Sequence, residues 1–457
     1  MAQPSIGHDD LDGGSAVKLT ARNLALLGAT CSLFVSGGAT AQTAAPAAAV
    51  PQMPADDITA VYESYRPQPI WTRNGINEAA VAQLVAILQR APFDGFAAGP
   101  QLAAEVQAAV APARSGDPAA TALAEHALSS AWVRYVQALK RPTPGMIYAY
   151  PVLKPHGSDV SAIVLTAAAA PSLAAHLANT ANVNPIYSQL RDTAYAEAKA
   201  SGNLTPDPRL LANLDRVRSI PATGRYLVVD AGSSMLTLYE NGQPQDSMKV
   251  ITGTSELPTP MIASVMYYIT YNPYWHAPDH LVRKTIAPNV IHLGLSYFKS
   301  HKYDVIDEWS EDPSVIDPTT IDWKAAAAGS VHLKIRQGPG PLNSMGILKF
   351  PFPNPEDIYL HDTPDHAKFA LAKRNLSNGC VRVEDAKRLG RWLLGSEPVA
   401  PGADPETRVQ LPKGTPIYLT YITAQVKDGK IVYLDDVYGW DKPGNQEFGY
   451  TTASASQ

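Results

Sequence analysis

The apolar residues of this chain change period once, and that change constrains the fold more than any other feature. Up to about residue 219 they recur at helical spacing; from Arg225 they fall into short strand-like runs. The sequence therefore predicts an α+β protein with an all-helical part first and a β-rich part second. In the first part, Asn77 is placed to cap a helix that starts at Glu78. Further helices are expected over residues 120–140, 171–200 and 208–217, with a proline-rich passage over 141–155. In the second part, strands are expected over residues 226–230, 235–239, 247–251, 266–271, 331–336, 417–421 and 431–434. Asn241-Gly242 and Asp428-Gly429 are hairpin dipeptides between them. Such a pattern fits a mixed β-sandwich or barrel-like domain. Residues 276–330 interrupt it with a long, charged, partly helical segment of a length seldom found without a function.

A length of 457 residues exceeds one typical domain. The expected parts are a helical scaffold over 56–220 and a second domain over 221–441, followed by a tail over 442–457. The formal charge of -5 is spread along the chain without a basic block, which argues against nucleic acid as a partner.

Residues 1–41 read as a secretory signal that begins late. Lys18 and Arg22 precede an apolar run over 24–35, and Ala39-Thr40-Ala41 offers a small-residue cleavage site. That run is short for a membrane span, so a membrane is expected as a partner only through this segment, if it is left uncleaved. Residues 42–55, rich in Ala, Pro and Gln, read as a linker. The chain has two cysteines, and Cys31 would leave with the signal; Thr30 before it is a poor neighbour for lipidation. Cys380 would then be alone in an oxidising compartment, where an unpaired thiol is a candidate reactive group.

Cys380 has the surroundings of a nucleophile. The run Ile358-Tyr359-Leu360-His361 reads as an apolar strand delivering a histidine at its end. After a basic spacer with helical character, Ser377-Asn378-Gly379-Cys380-Val381-Arg382 presents the thiol just ahead of a helix expected near Glu384. A thiol reacts as thiolate, so it needs a base and a field that favours the anion. His361 supplies the first in this reading and helix amide dipoles the second. Backbone amides of Gly379 and Cys380 are candidate oxyanion donors. Arg382 is suited to a substrate carboxylate, with a salt bridge to Asp385 as its structural alternative. The competing reading is a metal site on His276 and His280, four apart, or on His361 and His366, five apart, with Asp362 and Asp365. Pro278 falls inside the first pair and no HExxH glutamate follows, so neither metal nor cofactor is expected.

These residues resemble the L,D-transpeptidases with a YkuD-type catalytic domain. Tyr271-Asn272-Pro273-Tyr274-Trp275, residues 335–343, residues 349–354 and Val437-Tyr438-Gly439-Trp440-Asp441 resemble the larger, multidomain Gram-negative branch of that family. Trp71, Asp94-Gly95-Phe96 and residues 132–142 resemble its N-terminal scaffold. One departure is Asn378, where many members carry histidine. The resemblance implies catalysis by Cys380 and His361 with Gly379, and substrate contacts from Arg382, Ser377, Asn378, Asn343, Trp275 and Tyr359. It implies a periplasmic acyltransferase that joins peptidoglycan stem peptides through a thioester and is open to acylation by carbapenems. It also implies that residues 276–330 form a capping lid. Many members insert a peptidoglycan-binding module before the catalytic domain; residues 201–210 leave room only for a polar loop, so that module is expected to be missing. The cross-link is left open between 3-3, from a meso-diaminopimelate donor, and 1-3, from an L-alanine donor. L,D-carboxypeptidase activity, D-amino acid exchange and a non-catalytic cell-wall binding role are the alternatives.

Overall fold

The computed structural model describes residues 56–442, apart from 66, 158 and 311. The expected signal segment, the linker and all but the first residue of the expected tail lie outside the described residues. Among the described residues, no helix is long and apolar enough to cross a membrane.

The first part is helical: α1 (Asp56–Tyr65), α2 (Glu78–Arg90), α3 (Gly99–Ala113), α4 (Pro118–Leu139), α5 (Val160–Ala169), α6 (Leu173–Ala181), α7 (Pro185–Ser201) and α8 (Pro208–Val217). Three of these start with a capping Asp or Asn followed by proline: Asp117-Pro118, Asn184-Pro185 and Asp207-Pro208. The acceptor side chain satisfies an orphan N–H, and proline at the first helical position lacks an N–H to lose. Asn77 caps α2 as expected, accepting from the Ala80 N–H at 3.1 Å. Only residues 202–207 separate α7 from α8, with no helical insertion between them. Trp71, Trp132, Tyr135 and Tyr187 fill the core, where the Asp94 carboxylate accepts from the Tyr135 and Tyr187 hydroxyls and from Arg191. Asp94, Tyr135, Tyr187 and Arg191 thereby satisfy one another, while the buried Trp132 indole N–H has no hydrogen-bond partner among the described residues.

A short strand, β1 (Ile147–Tyr148), leaves the helical part and pairs in parallel with β5 (Ile262–Tyr271) of the second part. The other strands there are β2 (Arg225–Asp230), β3 (Met235–Glu240), β4 (Gln243–Gly253), β6 (Trp275–Ala277), β7 (Tyr303–Ile306), β8 (Val315–Ile316), β9 (Lys334–Gln337), β10 (Leu348–Phe350), β11 (Leu360–His361), β12 (Asn375–Ser377), β13 (Val381–Val383), β14 (Thr407–Thr420), β15 (Ala424–Lys427) and β16 (Lys430–Tyr433). Neighbouring strands run in the order β5, β10, β11, β13, β4, β3, β2, β14. Because β14 pairs with β2 on one edge and with β5 on the other, the path closes on itself as a barrel. Both expected hairpin turns are present, with Asn241, Gly242, Asp428 and Gly429 all at positive φ.

Leu227, Val229, Leu236, Leu360, Val381 and Leu419 point inward with their neighbours and make the barrel core. The opposite face of β2 and β14 joins the helical core through Tyr226, Val228 and Tyr418. The scaffold and the barrel thus share a wall. The β15–β16 hairpin and residues 435–441 then return to α8, where buried Arg216 pairs with Asp441 at 2.7 Å and donates to the Trp440 carbonyl.

The inserted segment runs from β6 to β9 and is more ordered than a loop. Antiparallel β6, β9, β7 and β8 form its sheet. Helices α9 (Asp279–Leu281), α10 (Ala287–Leu293), α11 (Leu295–Ser300) and α12 (Trp323–Ala328), with a π-helical turn at Val282–Ile286, cover one face of it. Val282, Ile286, Phe298, Val305 and Ile335 give the segment a core of its own.

One sequence expectation is corrected: the spacer after His361 is not an α-helix but a 3-10 turn at His366–Ala370 followed by β12. The helix expected near Glu384 is α13 (Ala386–Leu394), which begins behind the Asp385 cap, with β13 standing between it and Cys380. Val381 and Val383, both fully buried, make the strand the better use of that triplet.

Candidate active site

Strand register assembles the site. Parallel β11 and β13 pair Leu360 with Val381 and His361 with Arg382. Antiparallel β10 pairs Lys349 with His361. Partners across a ladder share a face and neighbours along a strand alternate, so Lys349, His361 and Arg382 form one row on the face opposite the core. Tyr359 is on this face too, its ring centroid 6.1 Å from that of His361. Cys380, immediately before β13, sits beside Tyr359, whose carbonyl accepts from the Val381 N–H.

His361 is buried at the end of β11, and its Nδ1 lies 2.6 Å from the Asp362 carbonyl. A carbonyl only accepts, so Nδ1 carries the hydrogen and Nε2 keeps its lone pair. Burial, with the cations Arg382 and Lys349 nearby, pushes the His361 pKa down to about 3. The imidazole is therefore neutral at neutral pH, the state a base requires. Cys380 keeps some solvent access, yet the protein packed around its thiol pushes the pKa up to about 11. The Tyr359 N–H, the Lys349 ammonium and the Tyr359 hydroxyl pull the other way, while Asp357 adds to the rise. The thiol donates to the Asp357 carbonyl at 3.7 Å, a weak contact, and makes no hydrogen bond to His361. The two residues are carried by neighbouring parallel strands, His361 on β11 and Cys380 at the head of β13.

The backbone around the thiol is held from behind. Gly379 has φ of 113°, where an added Cβ would lie 3.1 Å from Ile358 Cδ1. The Ser377 hydroxyl donates to the Cys380 carbonyl at 2.5 Å and accepts from the Gly379 N–H at 3.2 Å. That takes up the Gly379 amide. The Cys380 N–H has no hydrogen-bond partner among the described residues and is the free donor at this turn. Thr259 donates to the Gly379 carbonyl at 2.7 Å and accepts from the Gly253 N–H. Tyr438 closes the set, donating to the Gly253 carbonyl and accepting from the Thr259 N–H.

The remaining sequence candidates divide. The Arg382 side chain makes no ion pair or hydrogen bond among the described residues; Asp385 is occupied instead by the α13 cap and Arg388. Asn378 is exposed on the turn. Asn343 is buried, its amide donating to the Pro273, Gln337 and Gly338 carbonyls and its oxygen accepting from the Met345 N–H. All of its hydrogen-bonding groups brace the loop beneath the inserted segment. Trp275 pairs with Gln337 in the inserted sheet and packs against that segment's own core. His276 lies on strand β6, its ring tilted against that of Trp309, and His280 lies on α9, so the two do not share a helical face. Among the described residues no group of three His, Cys, Asp or Glu is disposed to hold a metal.

Sequence reasoning assigned no site role to Lys349, Thr259 or Asp357. Lys349 enters through the β10–β11 register, and Thr259 and Asp357 through backbone contacts distant in the chain.

Residues 224–419 match the family model described as L,D-transpeptidase catalytic domain, YkuD, and residues 56–193 match a model described as Scaffold domain. A curated Haemophilus influenzae protein named as a candidate L,D-transpeptidase is 31% identical over 244 residues, covering 52% of this chain. The chain spans 49% of that relative's length. Among solved structures, an L,D-transpeptidase from Mycobacterium smegmatis is 12% identical over 44% of this chain and 60% of its own, with a TM-score of 0.22. An avibactam carbamoyl enzyme is 13% identical over 43% of this chain and 48% of its own, also at 0.22. At that score neither adds to the argument.

Proposed function

Since residues 224–419 belong to the YkuD family of L,D-transpeptidase catalytic domains, we propose that this chain is an exported, cysteine-dependent L,D-transpeptidase acting on peptidoglycan stem peptides. The observation that carries the reading is the single free thiol among the described residues, presented by a positive-φ glycine at the head of the strand that pairs with the one bearing a neutral, tautomer-fixed histidine. In this reading the Cys380 side chain turns from the Asp357 carbonyl to His361 Nε2, which takes the thiol proton as the sulfur attacks the donor amide carbonyl. The Cys380 N–H and the Tyr359 hydroxyl are the donors available to the oxyanion. Collapse breaks the C–N bond, the imidazolium returns its proton to the departing amine, and a thioester remains. The amine of an acceptor stem then attacks the thioester and restores the thiol, with His361 again moving the proton. The unpaired Arg382 guanidinium suits a stem carboxylate. No cofactor enters this scheme, and a carbapenem would be trapped at the same acyl-enzyme stage.

The test is incubation of purified muropeptides with the full chain, read by mass spectrometry beside Cys380→Ala. A new cross-linked dimer absent with the variant is expected, and its fragmentation places the donor carbonyl at stem position three or one. Shortened stems without dimers would reassign the enzyme as an L,D-carboxypeptidase, and incorporation of free D-amino acids would reassign it as an exchange enzyme. Binding without turnover would leave a cell-wall binding protein. Undiminished dimer formation by Cys380→Ala would remove the thiol from the reaction.

A further inference from the structure

The field that favours a thiolate has no helix behind it here. β13 follows Cys380, and α13 starts beyond it behind a cap of its own. The row on the reactive face supplies cations in its place. Lys349 stands across from His361 on β10, and Arg382 stands across from it on β13. The Lys349 Nζ lies 4.4 Å from the centroid of the Tyr359 ring, on the residue adjoining the thiol. Among the described residues no carboxylate forms an ion pair with Lys349. An ammonium held over an aromatic face at a partly desolvated site keeps its charge in reach of its neighbours.

Other charged groups act in the same space. Asp357 opposes thiolate formation from the loop before β11. His276 faces Lys349 from the inserted sheet, with Arg336 and Glu406 near it, and Glu406 also reaches Tyr359. Asp365 lies near Arg382. The Glu406 carboxylate is engaged at the Tyr274 N–H, 2.8 Å away. Lys349 is the cation whose field reaches Cys380, His361 and His276 together.

We propose that Lys349 is a positioning residue of the reactive site, whose ammonium, steered over Tyr359 by the β10–β11 register, supplies the charge that lets Cys380 react as thiolate. The inference rests on the reading of Cys380 as the nucleophile. It adds that the activating charge comes from a strand two positions across the sheet. The same ammonium lowers the His361 pKa, which keeps the imidazole neutral at rest but weakens it as a base, so the benefit to the reaction comes through the thiol.

The experiment is the pH dependence of Cys380 alkylation by iodoacetamide in the full chain, for wild type, Lys349→Met and Lys349→Arg. Methionine keeps an apolar stem over Tyr359 and removes the charge; arginine restores it. The expected result is an alkylation profile displaced upward for Lys349→Met, slowing the reaction near neutral pH by about tenfold, the equivalent of one pH unit. Lys349→Arg should recover most of the wild-type profile. Superimposable profiles for Lys349→Met and wild type would overturn the proposal. So would equal displacement in both variants, which would mark a packing role. Thermal unfolding of each variant verifies that the comparison is among folded proteins. Iodoacetamide needs no stem peptide, so a displaced profile together with absent cross-linking would reject the transpeptidase reading and leave this one standing.

Discussion

His361 combines a fixed tautomer with a strongly depressed pKa, and the consequence extends to stability. Its folded-state pKa of about 3 lies below the ordinary histidine value of roughly 6.5. Between those values the unfolded chain binds the extra proton, so stability is complete above about pH 6.5 and falls as the pH drops toward 3. His361→Gln should lose less stability than wild type over that window in denaturant titrations at stepped pH. Parallel losses would show that the imidazole is not held neutral. In catalysis, removing the base should lower turnover by roughly 10²–10⁴-fold, while Ser377→Ala should act through geometry. That serine ties the Gly379 N–H to the Cys380 carbonyl, so its loss is expected to reduce turnover more than it reduces alkylation by iodoacetamide. Equal reductions would mean that the hydroxyl acts on the thiol itself. The nucleophile and its base were legible from residue types and spacing. Lys349 was not, because its position depends on which residue of β10 meets His361, and a shift of one residue would turn its side chain into the core.

At the scale of elements, local signals served well where the local code decides the structure. Asn77 caps its helix, and Asn241-Gly242 and Asp428-Gly429 turn their hairpins. They failed where tertiary pairing decides. Val381-Arg382-Val383 is too short to announce itself as a strand, and only its place between β11 and β4 makes it one. Residues 367–373 are helix-favouring in composition, yet Arg374 is buried, donating to the Val250, Leu371 and Ser234 carbonyls, and this draws the chain into β12. The inserted segment reads as a partly helical loop because β7 and β8 are short, β7 being held by β9 and β8 only by β7. Gly379→Ala tests the turn that presents the thiol. A left-handed φ and a Cβ 3.1 Å from Ile358 Cδ1 together predict a destabilisation of about 1–3 kcal/mol and a misplaced sulfur. A variant with native melting temperature and native turnover would show that the loop adapts freely.

Over the whole molecule, helical part and barrel are held together by buried polar contacts as well as by their common wall. Arg216 and Asp441 are both buried and bonded at 2.7 Å, and Thr423 donates to the same carboxylate. Truncating one member leaves the other charge unpaired in the interior. Asp441→Ala should therefore cost roughly 3–5 kcal/mol in unfolding experiments, and a cost near zero would mean that water reaches the guanidinium. Three residues before Asp441, Tyr438 stacks on Tyr421 and bonds to Gly253, one link from the Thr259 contact to Gly379.

The outer part of this rear brace lies outside the boundaries of both matched models. Tyr438, which bonds to Gly253 and Thr259 behind the nucleophile turn, lies beyond position 419, and Asp441 three residues on is tied to Arg216 of α8, before position 224. A fragment cut at the edges of the catalytic match would keep Cys380, His361, Ser377 and Thr259 but lose Tyr438 behind them. The two halves of the chain are thus not interchangeable cassettes: a lineage that exchanged one would have to carry Arg216, Tyr438 and Asp441 across together.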